Sequence, residues 1–141
     1  MRWIIAGIIF TLGISVGCDD RTYREIGAAI DVLTKKTDGM SGPAITRLQK
    51  IGRRSIPQIE IALHTAAPNS RTNLLSALDA IGDPDAAAIL QHFGSYDPNT
   101  SVRLACEEIL NRWSLAGDRR SEPARVALQK IAENRKHLAE E

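Results

Sequence analysis

Aromatic side chains make up only 4% of this chain, and its 141 residues include just two cysteines and three histidines. A core so poor in rings must be filled by aliphatic and small side chains, which are abundant here and suit helix-on-helix packing. The net charge is close to zero, at +1, which gives no reason to expect nucleic acid or an acidic membrane surface as a partner. The three histidines, His64, His92 and His137, fall on different predicted helices. No C-x-x-C, H-E-x-x-H or paired His/carboxylate spacing accompanies them, so no metal site is expected. Ser15 and Ser55 lie outside any nucleophile-elbow context, Gly82 stops a helix rather than opening a phosphate loop, and Asp83 and Asp85 read as turn and capping residues. The expectation is therefore a protein with no catalytic residue, metal or cofactor. At 43% hydrophobic and 25% charged residues, its composition is that of one ordinary globular domain.

What is present is one pattern written three times between Pro43 and Trp113. In the middle copy Arg71, Leu74, Leu75, Ala77, Leu78 and Ile81 share the apolar stripe of a helix that stops at Gly82. Asp83-Pro84 restarts the chain, predicting a second helix from about Pro84 to His92 or Phe93 with Ala86, Ile89, Leu90 and Phe93 inward. Thirty residues upstream, Ala44, Ile45, Leu48 and Ile51 lead into Gly52 and a new start at Ser55-Ile56-Pro57-Gln58, which has the form of a capping box. Thirty-two residues downstream, Arg103, Cys106, Ile109, Leu110 and Trp113 repeat the middle stripe. A period of this size predicts stacked helical hairpins, because one hairpin cannot bury its apolar face alone.

The runs Ile51 to Ile59, Ala80 to Ala86 (Ala-Ile-Gly-Asp-Pro-Asp-Ala) and Asp97 to Ala105 (Asp-Pro-Asn-Thr-Ser-Val-Arg-Leu-Ala) resemble the short bacterial HEAT-like repeats. The resemblance covers about half of the chain. It implies an all-α fold, a short α-solenoid of about three HEAT-like helical hairpins with capping helices. Three departures stand out: two extra residues precede Val102-Arg103, Ser41 takes the arginine position of the first copy, and Trp113-Ser114 replaces Ile-Gly in the third.

The ends of the chain differ from the middle. Arg2 is followed by an uncharged run from Trp3 to Val16, about 21 Å long as a helix and short of the roughly 30 Å hydrocarbon core. Residues 1–17 therefore read as a signal peptide and 18–141 as the repeat domain. Ile14-Ser15-Val16-Gly17-Cys18 resembles a bacterial lipobox, which implies lipidation of Cys18 and attachment to the membrane at the cell envelope, facing the periplasm or exterior. Cys106 would then have no intramolecular partner, and its place on an apolar stripe reads as a small buried hydrophobe. A first helix is expected from Thr22 to about Lys36, opened by a Thr22/Glu25 capping box, with Tyr23, Ile26, Ile30 and Leu33 inward. A last helix is expected from about Ser121 to Leu138, with Val126, Leu128, Ile131 and Leu138 inward and Arg125, Lys130, Glu133, Arg135 and Lys136 outward.

Two surfaces are candidates for holding a protein partner. Equivalent turns should line up along one edge and place Arg53 and Arg54, then Asp83 and Asp85, then Arg119 and Arg120 in a row of alternating sign, either for docking or for mutual neutralisation. The face built from the second helices should expose Gln58, Glu60, His64, Gln91 and His92. In the HEAT-like family that face commonly holds a protein, so the resemblance implies a non-catalytic interaction or scaffold module with an unidentified protein partner. Repeats of this type also resemble those of phycobilin lyases, which makes a lyase-like protein the alternative function. A structural subunit of an envelope complex is the third.

Overall fold

The computed structural model describes residues 17–35 and 39–140, of which residues 17–19 are described by backbone alone. The uncharged run and the lipobox-like residues Ile14 to Val16 lie outside the described residues, and Cys18 is placed by its backbone in the first turn of the first helix. Seven α-helices follow one another among the described residues: α1 (Gly17–Thr34), α2 (Ser41–Ile51), α3 (Ile56–Thr65), α4 (Pro68–Ile81), α5 (Ala86–Tyr96), α6 (Thr100–Ser114) and α7 (Ser121–Glu140). A short 3-10 turn, Gly52–Ser55, joins α2 to α3, and no strand occurs among the described residues.

The pairs α2/α3, α4/α5 and α6/α7 are the three hairpins of a HEAT-like α-solenoid. Their first helices form a row, α2 against α4 and α4 against α6, while α5 packs on both α6 and α7. α1 caps the start of the stack by packing on α2 and α4 through Ile26, Ile30 and Leu33, all buried. One continuous core of aliphatic side chains runs through all of this, with Leu48, Ile59, Leu63, Leu74, Leu75, Leu78, Leu90 and Leu110 among its fully buried members. Its largest ring is Trp113, whose indole Nε1 donates to Asp79 Oδ1 at 2.8 Å, while Arg112 Nη2 donates to Asp79 Oδ2 at 2.6 Å. One carboxylate of α4 thereby fixes α6 against it, and the indole N–H is buried without a loss of hydrogen bonding.

The helix starts depart from the sequence-based expectations. α1 begins at Gly17, so Thr22 is inside the helix and cannot cap it, and Tyr23 points outward at 63% exposure. Ser55 makes no cap bond to α3. It is fully buried and its Oγ instead donates to the Leu48 carbonyl at 3.3 Å, and Ser121 repeats the move by donating to the Trp113 carbonyl at 3.1 Å. A serine at the head of the second helix thus satisfies a carbonyl at the tail of the first, a bond that spans the hairpin rather than opening a helix. Asp83 accepts from the Asp85 N–H at 2.9 Å, and regular helix begins only at Ala86 and runs on to Tyr96. Gly82 ends α4 in the left-handed region at φ 64°, where its N–H closes on the Leu78 carbonyl at 3.0 Å.

The inward face of α7 is also different. Ala124, Ala127 and Ile131 are buried, whereas Val126 and Leu138 are exposed. The face is set by Ile131, whose Cδ1 lies 2.8 Å from where a Cβ on Gly94 of α5 would stand, with Cys106 Cβ 3.3 Å from the same point. Glycine at 94 lets Ile131 pack closely, and helix spacing from Ile131 turns Ala127 and Ala124 inward and Val126 outward. Gly94→Ala should therefore overpack this crossing and destabilise the fold by about 1–3 kcal/mol. Urea denaturation measures it, and Ile131→Val, which removes the clashing methyl group, should recover part of the loss when combined with Gly94→Ala.

Candidate interaction surface

The outward stripe of α3 follows the spacing Pro57, Glu60, Ile61, His64, all of them exposed. That of α5 carries Asp85, Ala88, His92 and Tyr96, with Gln91 half-buried beside it. The two stripes meet through rings. The imidazoles of His64 and His92 have centroids 5.8 Å apart, Phe93 lies 5.1 Å from His64 and 5.3 Å from His92, and Tyr96 extends the row at 5.6 Å from His92. Phe93 is buried under the two histidines, so this small cluster is rooted in the core and open at its top. Beyond it, a groove of about 570 Å³ runs between α5 and α7, its floor formed by Ala87, Ala88 and Ala127 and its walls by Pro84, Pro123 and Val126. Acidic Asp85 and Glu122 border the groove where the two helices begin, and Gln91 and Lys130 lie farther along them.

Glu60, His64, Gln91 and His92 thus share the surface expected of them, but Gln58 does not. Its Oε1 faces α1, 3.9 Å from where a Cβ on Gly27 would stand, and its side chain is half-buried there. Ile61, not singled out from the sequence, and Val126, expected inward, both belong to the surface. Ile61 is 67% exposed because it falls off the stripe of Ile56, Ile59 and Leu63, an apolar residue on the polar side that could have been noticed. Val126 turns outward because it falls off the stripe of Ala124, Ala127 and Ile131.

The turns that join the helices do align. Arg53 pairs with Asp85 of the next turn. Arg120 reaches the Gly82 turn, its Nη1 3.3 Å from where a Cβ on Gly82 would stand, and its guanidinium lies 5.7 Å from the Trp113 ring centre. Arg120 also grips Asp118 at 2.6 Å and, with its own backbone N–H, holds that carboxyl down at about 2. Arg119 is exposed, and Arg54 has an interaction within the chain. The charges along this edge largely answer one another.

At the corner between α5 and α6 the polar groups are buried. Asp97, 5% exposed, accepts from Arg71 Nη2 at 3.2 Å and from the Asn99 N–H at 2.8 Å, and Arg71 Nε lies 3.0 Å away without its N–H aimed at an oxygen. Arg71 Nη1 donates to the Ala66 carbonyl and Arg103 Nη1 to the Asp97 carbonyl, so one cluster ties the α3–α4 corner to α6. The two extra residues of the third copy have their explanation here. Asn99 takes over the cap of α6, accepting from the Ser101 and Val102 N–H groups, and leaves Asp97 free to turn inward. Nearby Cys106 is fully buried, and burial, with the negative charges of Asp97 and Glu107 adding to it, pushes its thiol up to about 12. Among the described residues no group of three His, Cys, Asp or Glu side chains could hold a metal ion.

No protein-family model matches the chain, and no curated protein matches it either. Among solved structures, a chain of "the complex of CpcE and CpcF of phycocyanin lyase from Nostoc sp. PCC7120" is similar, with a TM-score of 0.61 and 23% identity. The match covers 79% of this chain and 65% of that one, so this chain spans less than two thirds of that protein's length. At this identity the likeness establishes the fold.

Asp97→Ala should cost about 3–5 kcal/mol, because it strands a guanidinium that is largely removed from water. The loss should be read by urea denaturation, and adding Arg71→Leu should restore most of it. Cys106 gives a pH dependence with a definite sign. The native thiol keeps a proton that the unfolded chain sheds above 9.0, so its contribution is complete below that pH and declines as the pH climbs towards about 12. In a Cys18→Ser background at pH 8, a thiol reagent should leave Cys106 unlabelled until urea unfolds the chain.

Proposed function

We propose that this chain is a non-catalytic interaction module that offers its second-helix face to a protein partner, and that a lipid on Cys18 holds it at the bacterial cell envelope. The observation that carries the reading is the row of exposed side chains Ile61, His64, His92 and Tyr96, which leads to the α5/α7 groove and Val126. Large apolar and aromatic groups on rigid helices, bordered by polar ones, are the make-up of a protein-binding surface. The pairing of the edge charges within the chain favours this face over the turn edge. The similar fold occurs in a complex of CpcE and CpcF, a further support for assembly with another protein.

The anchoring half of the proposal rests on the uncharged run and the lipobox-like residues before Cys18. No helix among the described residues is long and apolar enough to cross a membrane, so attachment through the described part would fall to the acyl chain. Asp19 and Asp20, directly after Cys18, have the form of an inner-membrane retention signal. A lyase-like role, in which the face would handle a bilin, is favoured by the named activity of the similar complex and is the alternative.

Two measurements separate these readings. Growth with labelled palmitate should put label and membrane association on the full chain and on neither when Cys18→Ala is introduced; an unlabelled, soluble chain removes the anchor. A photo-crosslinker at His92 should give one discrete adduct with an envelope protein in cells, and a crosslinker at Glu108 of α6 should give none. Ile61→Asp should reduce the His92 adduct about tenfold with no change in melting temperature. Saturable bilin absorbance changes with no adduct would instead favour the lyase-like role.

A further inference from the structure

The end of the stack at α7 is built differently from its interior. Arg71 and Arg103 hold equivalent places in the second and third hairpins. Arg71 meets the carboxylate of Asp97, supplied by the corner that follows α5. Arg103 has no such carboxylate among the described residues. Its Nη1 donates to the Asp97 carbonyl at 2.6 Å and its Nη2 to Thr100 Oγ1 at 2.9 Å, which leaves further N–H groups free of any acid.

The cause is the length of α7. It runs for 20 residues where α5 has 11, so the chain makes no corner at the place where an equivalent aspartate would turn in. The overhang passes beside the α5–α6 corner and is tied to it by Asn134 Nδ2, which donates to Ser95 Oγ at 3.1 Å. Between them is a pocket of about 610 Å³ whose lining includes Tyr96, Asp97, Pro98, Arg103, Arg135 and Leu138, the carboxylate of Asp97 being buried and already held by Arg71. Arg135 pairs on its other side with Glu107 of α6. Among the described residues Arg71, Arg103 and Arg135 therefore meet only Asp97 and Glu107, three positive charges against two negative, and farther out Lys136, His137 and Glu140 end α7 exposed to solvent.

We infer that this pocket binds an organic carboxylate with a compact apolar or aromatic body. The carboxylate takes the place of the missing aspartate beside Arg103 and Arg135, and the body rests on Tyr96, Pro98 and Leu138. Two arginines lining one pocket, each with N–H groups beyond those its printed partners use, suit a carboxylate's paired oxygens, and the half-exposed Tyr96 and Leu138, at 55% and 56%, supply the apolar wall that a bare anion would not need. The same chemistry is presented by a small free acid and by the last residue of a polypeptide.

The test is an amide-detected NMR titration of the full chain carrying Cys18→Ala, with 3-phenylpropionate, N-acetyl-phenylalanine and 3-phenylpropanamide as probes. Both acids, or one of them, should give saturable shifts confined to residues 95–103 and 135–140, and the amide should bind about tenfold more weakly. Arg135→Gln should weaken acid binding about fivefold or more and leave the amide unchanged. Tighter binding of N-acetyl-phenylalanine would assign the site to a polypeptide C-terminus, and tighter binding of 3-phenylpropionate to a free acid. Equal binding of acid and amide, shifts elsewhere or no saturation would each overturn the inference, and the acid/amide comparison requires no variant that could fail to fold.

Discussion

A carboxylate removed from water has to be answered on every side, and Asp97 is the place where this chain meets that demand. Its partners come from α4 and from the backbone that leads into α6, and the carbonyl of the same residue receives Arg103. Such a pair adds little net stability over an apolar substitute, because desolvation offsets most of the attraction. What it fixes is register. Sliding α6 by one residue along α4 would leave Arg71 or Asp97 unpaired inside the protein, so the alignment of the second and third hairpins is far better specified than aliphatic packing alone could make it. Asp79, which holds both Arg112 and Trp113, secures the same two helices at their opposite ends.

Packing between α5 and α7 follows a different logic. Where Gly94 meets Ile131, the missing Cβ makes room for the isoleucine, and one and two turns earlier α7 turns Ala127 and Ala124 inward. The surface follows from this contact. Small side chains along the seam leave a shallow trough above it, floored by Ala87, Ala88 and Ala127, and Val126 stands at its rim. The groove and the close crossing are one feature viewed from outside and from inside.

This explains which parts of the molecule were legible in the sequence. The 3.6-residue stripes of α4 and α6 were, because Leu74, Leu75, Leu78, Cys106, Leu110 and Trp113 are spaced by helix geometry and bury accordingly. So were the hairpin period and the shared surface of His64 and His92, which follow from equivalent positions in successive repeats. The inward face of α7 was legible in part: Ile131 and Leu128 pack on the core as expected, whereas Val126, ranked inward by hydrophobicity, yields to Ala124 and Ala127, which helix spacing places on the face of Ile131. Ser55 and Ser121 were misleading for a related reason: their spacing has the local form of a cap, while their hydroxyls answer a carbonyl seven or eight residues back. Gln58 fails because α1 covers it, a contact between elements far apart in the chain.

The two ends of the solenoid are chemically unequal. At the start, α1 lays an apolar face on the stack, and its last carbonyls are taken up by α4: Ser70 Oγ donates to Thr34 at 3.0 Å and Asn73 Nδ2 to Leu33 at 3.3 Å. At the other end the cover is a helix with a polar outer face whose overhang is tied through Asn134 and Arg135, and the arginine that an interior repeat would neutralise is left facing a cavity. A capping helix keeps further repeats from stacking, yet it need not satisfy every group they would have satisfied. Tyr96 stands at the meeting point of this cavity and the second-helix face, so a ligand resting on its ring and a protein lying along α5 would compete for the same aromatic surface.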